Sequence, residues 1–283
     1  FIFYRLDLIF LIFAYIINVL AIGELLGKKL YTTYSKYVLI QKTSTLILGL
    51  GFFYLFGIDG ILYALAITYV MYGVRIFQGF KNSKINFGLL KPKKEFIATN
   101  YAIVVASGLH GQLDKFIIAP LLGFALLGNY ALALQIIGIM MIFPTVLFKF
   151  ILPQDSSGVL NKKFKKLSIL ISVLISITGF FLAPILIPEL FPKYADVIPA
   201  IQIMSFNVVF ATINYIRISK FLNLEKSKYL LINKIIGILV LLTGMVILGT
   251  TYGITGLAVA FLINSLSSLI FLSVIDKIKI KKI

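Results

Sequence analysis

Residues 107–115, SGLHGQLDK, bring the only histidine of the chain together with an aspartate and a lysine inside an otherwise apolar segment. On a helix turning 100° per residue, Asn100, Ser107, His110, Gly111, Asp114 and Lys115 share an arc of roughly 140°, and Gln112 lies off it. One face of this helix is therefore expected to be wet. Lys115 there would attract an anionic group, while Asp114 would hold it or bind a coupling cation. The same two residues also read as a neighbour pair that neutralises itself near the outer interface of a membrane. His110 reads as a packed or hydrogen-bonded residue before a proton relay.

Other polar side chains interrupt apolar runs. Arg5 and Asp7 fall near one end of the first run, where snorkelling to the interface competes with a place in a cavity. Asn207 and Asn214 are seven apart and so share a helix face, suited to gluing helices together or to lining a pathway. These nine positions, Arg5, Asp7, Asn100, Ser107, His110, Asp114, Lys115, Asn207 and Asn214, are the candidate substrate pathway. No catalytic set accompanies them: there is no nucleophile triad, paired-carboxylate site or phosphate-cradling glycine loop. With no Cys and one His, disulfides, iron–sulfur clusters and zinc sites built from Cys and His are excluded, and no cofactor or metal is expected.

The elements that must position these residues follow from hydropathy. Sixty per cent of the 283 residues are hydrophobic and the mean hydropathy is +1.03, far above a soluble domain. The apolar residues cluster in runs of about 20, enough for a helix to cross a hydrocarbon core of roughly 30 Å. Such runs are apolar on every face, which argues against the period-2 alternation of a membrane barrel. The expected fold is all-α, a polytopic membrane helix bundle. Nine spans are predicted near residues 1–22, 38–57, 59–79, 98–123, 129–148, 167–187, 197–216, 230–250 and 254–275.

Charge fixes their direction. The formal net charge is +17, and 24 of the 27 Lys and Arg lie at every second connection and in the C-terminal tail. That asymmetry marks the cytoplasmic side, where anionic headgroups meet it, so nucleic acid is not an expected partner. Arg217 and Lys234 belong to this basic set, and only Arg5, Lys115 and Lys193 fall outside it. The C-terminus is thus expected in the cytoplasm, and residue 1, with nine spans, outside.

An internal repeat accounts for the odd number. SKYVLIQK at 35–42 recurs as SKYLLINK at 227–234, and GIDGILYALAI at 57–67 as GITGLAVAFLI at 253–263, at offsets of 192 and 196 residues. Both copies run in the same direction, as parallel repeats do. A repeat of that length makes residues 1–90 the last three helices of a first bundle and 91–283 a second bundle of six. About nine visible helices of twelve, in two parallel six-helix repeats, are then expected, with three lying upstream of Phe1.

The segment LDKFIIAPLLGFALLGNYALALQI at 113–136, with Gly123, Gly128, Tyr130 and Ala131 at its turn, and ILPQDS at 151–156, resembles polysaccharide and O-antigen flippases of the Wzx type, in the multidrug/oligosaccharidyl-lipid/polysaccharide exporter superfamily. The resemblance implies two six-helix bundles and outward movement of a lipid-linked oligosaccharide across the cytoplasmic membrane. It further implies cations holding the substrate's pyrophosphate and other polysaccharide-assembly proteins as partners. Of the visible helices, only Lys115 and Arg5 would supply that charge. The competing readings are an ion-coupled multidrug exporter of the same superfamily, whose cavity would favour acidic and aromatic residues, and a membrane polymerase or acyltransferase of the cell envelope, which would carry a long outer loop rich in Arg or His.

Overall fold

The computed structural model describes residues 6–81, 87–157 and 162–280. Among these every regular element is helical: α1 (Leu6–Gly27), α2 (Tyr31–Phe56), α3 (Ile58–Val70), α4 (Gly73–Lys81), α5 (Lys94–Leu122), α6 (Phe124–Met140), α7 (Ile142–Ser156), α8 (Lys162–Leu190), α9 (Ile198–Ser205), α10 (Asn207–Asn223) and α11 (Ser227–Ile275). Seven stretches are long and apolar enough to cross a bilayer, or eight if α6 and α7, which meet at 45°, count as one. This is the expected class, a membrane helix bundle.

The bends fall where the sequence interrupts its own helices. Pro144, buried in the first turn of α7, lacks the N–H that would have continued the ladder from α6. By contrast Pro184 and Pro188 lie within an uninterrupted α8. The four lysines at 162–166 form the opening of α8 and make no separate surface helix.

α11 is 49 residues long, about 74 Å at 1.5 Å per residue and more than twice a hydrocarbon core. It does not run straight. Gly253 stands at φ 58°, ψ −133°, and Gly57 between α2 and α3 at φ 66°, ψ −146°, a conformation essentially reserved for a residue without Cβ. At each turn the chain reverses so closely that a second glycine is needed three residues on. A Cβ on Gly60 would strike the Phe52 carbonyl, and one on Gly256 the Leu248 carbonyl.

The chain divides into two compact units, Phe1–Gly88 and Leu89–Ile283. In the first, α3 packs on α1 and α2, with Ala14, Ala21, Ala64 and Ala66 fully buried; small residues let helix backbones approach without a hydrophobic drive between them. In the second, α5 lies along α11, α7 and α8 along α10, and α9 against α11 and α8, around a core that includes Tyr130, Ile137, Ile201, Met204 and Leu257. Large apolar side chains such as Leu46, Phe124 and Phe181 remain exposed on both units, the surface that lipid covers.

At the basic end of the second unit, the acids neutralise part of the lysine excess. Asp155, buried in ILPQDS, accepts from Lys165 at 2.7 Å and from Ser219 at 2.7 Å, tying α7 to α8 and α10. Lys220 pairs with Asp276, and Lys93 with Glu225. In the first unit Glu24 accepts from Lys28 at 2.7 Å and Arg75 at 3.1 Å.

Candidate functional site

Three helices of the second unit turn polar faces toward one another. On α10, Asn207, Ala211, Asn214, Tyr215 and Ile218 recur at three- and four-residue steps and so form a single stripe. α11 contributes two short matching stripes, Asn233, Lys234 and Gly237 before Gly253 and Asn264, Ser265 and Ser268 after it. His110 closes the space from α5, and Met141 from the bend between α6 and α7. Together they line a cavity of about 230 Å³.

The walls are held by side-chain hydrogen bonds. Asn214 Nδ2 donates to the Ser265 carbonyl at 3.1 Å, Asn233 Nδ2 to Ser268 Oγ at 2.8 Å, and Ser265 Oγ to Asn207 Oδ1. Asn207 Nδ2 reaches Met141 Sδ at 3.9 Å. These bonds leave capacity unused. The side-chain oxygens of Asn214 and Asn233 and Nδ1 of His110 are buried without a partner among the described residues. An unpaired buried polar atom costs about 1–3 kcal/mol, and more where no water can substitute, so three in one place mark a space that receives polar matter.

Lys234 gives the cavity its charge. It lies seven residues into α11, about 10 Å from the helix start. No acidic side chain lines the cavity among the described residues. A half-buried ammonium in a lining that also holds amides and hydroxyls favours an anion or a dense set of acceptors.

The candidates from sequence are distributed unevenly. His110, Asn207 and Asn214 meet at the cavity. Asn100 does not: its Nδ2 donates to the Phe96 carbonyl and to Ser227 Oγ, each at 2.8 Å, pinning α5 to the start of α11. Ser107 is exposed on α5. Lys115 donates to Gln112 Oε1 at 2.7 Å with both residues exposed, so the residue left off the wet arc is its partner. Arg5 lies outside the described residues, as do the side chains of Asp7 and Asp114.

Lys234, Asn233, Asn264, Ser265 and Ser268 were not anticipated. Sorting charges by connection places Lys234 with the basic end, although the apolar run at 230–250 contains it. The signal was present as Asn-Lys-x-x-Gly and Asn-Ser-x-x-Ser on two neighbouring apolar runs, each placing its polar residues on one helix face.

The cavity wall also has a counterpart in the first unit. Residues 41 and 45 precede 233 and 237 by 192, and residues 68 and 72 precede 264 and 268 by 196, the offsets of the sequence repeat. Tyr72 Oη donates to Gln41 Oε1 at 3.0 Å, where Asn233 bonds Ser268; Thr45 bonds Thr68 at 3.0 Å, where a Cβ on Gly237 would come 2.9 Å from Asn264 Oδ1. Equivalent positions meet in both hairpins. No family model, curated protein or solved structure matches the chain.

Proposed function

We propose that this protein is a transporter that flips lipid-linked oligosaccharide, a polysaccharide or O-antigen precursor, across the cytoplasmic membrane by alternating access, as the Wzx-type resemblance implies. The observation that carries the reading is the cavity of the second unit. It is a cation-bearing space, rich in amides and hydroxyls, between helices whose outer faces are apolar, and a polar headgroup needs such a space at membrane depth. Its lining of amides, hydroxyls and one tyrosine suits sugar hydroxyls, which both donate and accept.

The finer layout belongs to the same proposal. Counting α6 with α7 as one crossing, α9 with α10 as another, and α11 as two arms makes nine crossings, and the distribution of Lys and Arg would then put the C-terminus in the cytoplasm. The paired positions Gln41–Tyr72 and Asn233–Ser268 support a duplication. Residues 1–90 would then belong to a first six-helix bundle and 91–283 form the second, in a transporter of twelve.

An ion-coupled multidrug exporter remains the second reading, favoured by Tyr215 stacked on Phe148 at 5.1 Å beside the cavity. Against it, the charge among the described lining residues is basic, which repels the cationic compounds such exporters expel. Proteoliposomes separate the two. The full-length protein should move a fluorescent lipid-linked oligosaccharide between leaflets and leave a cationic dye untransported; the reverse pattern would assign the exporter.

A further inference from the structure

The cavity states more about its occupant than that it is polar. Asn214 cannot turn its amide over without losing the bond to the Ser265 carbonyl, so its free group is an acceptor oxygen. Asn233 bonds a hydroxyl, which accepts or donates, and presents a second free oxygen in its present orientation. Two acceptors therefore call for donors on the ligand, while the Lys234 ammonium calls for an acceptor, best a charged one. A single ammonium with no acid among the described lining residues balances one negative charge. Inorganic phosphate or pyrophosphate at neutral pH brings more charge than that and few donors. The volume, about 230 Å³, accommodates a sugar ring.

We propose that this cavity binds a ring carrying one carboxylate among hydroxyls, hexuronate in form, with Lys234 on the carboxylate and Asn214 and Asn233 accepting from its hydroxyls. A phosphatidylglycerol headgroup presents a similar charge beside hydroxyls, but only two of them on a flexible chain, against the several that a hexuronate ring holds in fixed positions. The site stands on the cavity alone. That the ring is one residue of a transported glycan, rather than a free sugar acid, rests on the flippase reading.

The test uses the full-length protein in nanodiscs and saturation-transfer NMR with glucuronate, glucose and inorganic phosphate as probes. Glucuronate should bind at least about tenfold more tightly than glucose, the loss expected when a charge-assisted hydrogen bond is missing, and more tightly than phosphate, which has few donors for the two amide oxygens. Lys234→Met should bring glucuronate to the level of glucose, and Lys234→Arg should retain most of the difference. Asn214→Asp should abolish binding by setting a negative charge in the same cavity against the ligand's carboxylate, and it decides the matter if Lys234→Met does not fold. Glucuronate binding that survives Asn214→Asp or a folded Lys234→Met overturns the site, as does tighter Lys234-dependent binding of phosphate or of phosphatidylglycerol added to the nanodisc. Lys234-dependent glucuronate binding without flipping of lipid-linked oligosaccharide leaves the site and removes the flippase. Flipping that is indifferent to Lys234→Met and to free glucuronate does the opposite, and flipping inhibited by free glucuronate only in the presence of Lys234 joins the two.

Discussion

The hairpin of α2 and α3 and the hairpin formed by the two arms of α11 begin from the same device and end differently. Each reverses at a glycine with positive φ, needs a second glycine three residues later, and locks its arms through an amide bonded to a hydroxyl. In the first, the fully buried Tyr72 bonds Gln41 and borders a cavity of about 350 Å³ shared with Lys36, Tyr37 and Met71, and Thr45 bonds Thr68. In the second, the corresponding positions hold Ser268, Gly237 and Asn264, smaller at two of three and with polar capacity to spare. Both hairpins thus border a cavity, and a few side chains on one scaffold set its lining, more aromatic in the first and richer in amides and hydroxyls in the second.

The comparison breaks first at its turns. Gly60→Val and Gly256→Val each drive a branched side chain into a carbonyl that cannot move without unwinding its helix, and each should cost more than about 3 kcal/mol, seen as loss of monodisperse protein in detergent. A tolerated substitution at either site would mean that the two turns are not the same device. Next, Ser268→Tyr should give the second hairpin the ring of the first. It should leave the melting temperature within a few degrees and reduce oligosaccharide flipping about tenfold or more, by filling the cavity and taking the hydroxyl's place beside Asn233. Tyr72→Ser, the converse, should lower stability by about 2–4 kcal/mol through the space it leaves, measured by thermal unfolding in detergent. The smallest effect is expected at Lys115→Ala. Its exposed pair with Gln112 is a weak interaction, and flipping should fall by no more than about threefold.

Much of the architecture was legible because lipid imposes simple rules. Runs of about 20 apolar residues must be helices, and the glycines at 57, 123 and 253 sit where the chain turns. The breaks inside a span were less so. Pro144 announced the bend near Met141, but nothing comparable marks Phe206, where α9 gives way to α10. The site was half legible for a geometric reason. His110, Asn207 and Asn214 stand out as polar residues in apolar runs, whereas Lys234 resembles the other lysines of the basic end until the first residue of α11 is known. Asn100 and Lys115 share the helix with His110, yet pairing with Ser227 and Gln112 takes each elsewhere. Periodicity assigns a residue to a face, and only packing decides what that face meets.

Flipping of a fluorescent lipid-linked oligosaccharide by wild-type, Lys234→Met and Lys234→Arg proteins in proteoliposomes tests the central claim most directly. The account predicts robust flipping by the wild type, a loss of about tenfold or more in Lys234→Met at unchanged insertion and melting temperature, and substantial recovery in Lys234→Arg. Equal flipping by all three would contradict it, and the cavity would then be a packing defect of the second unit instead of the path its substrate takes.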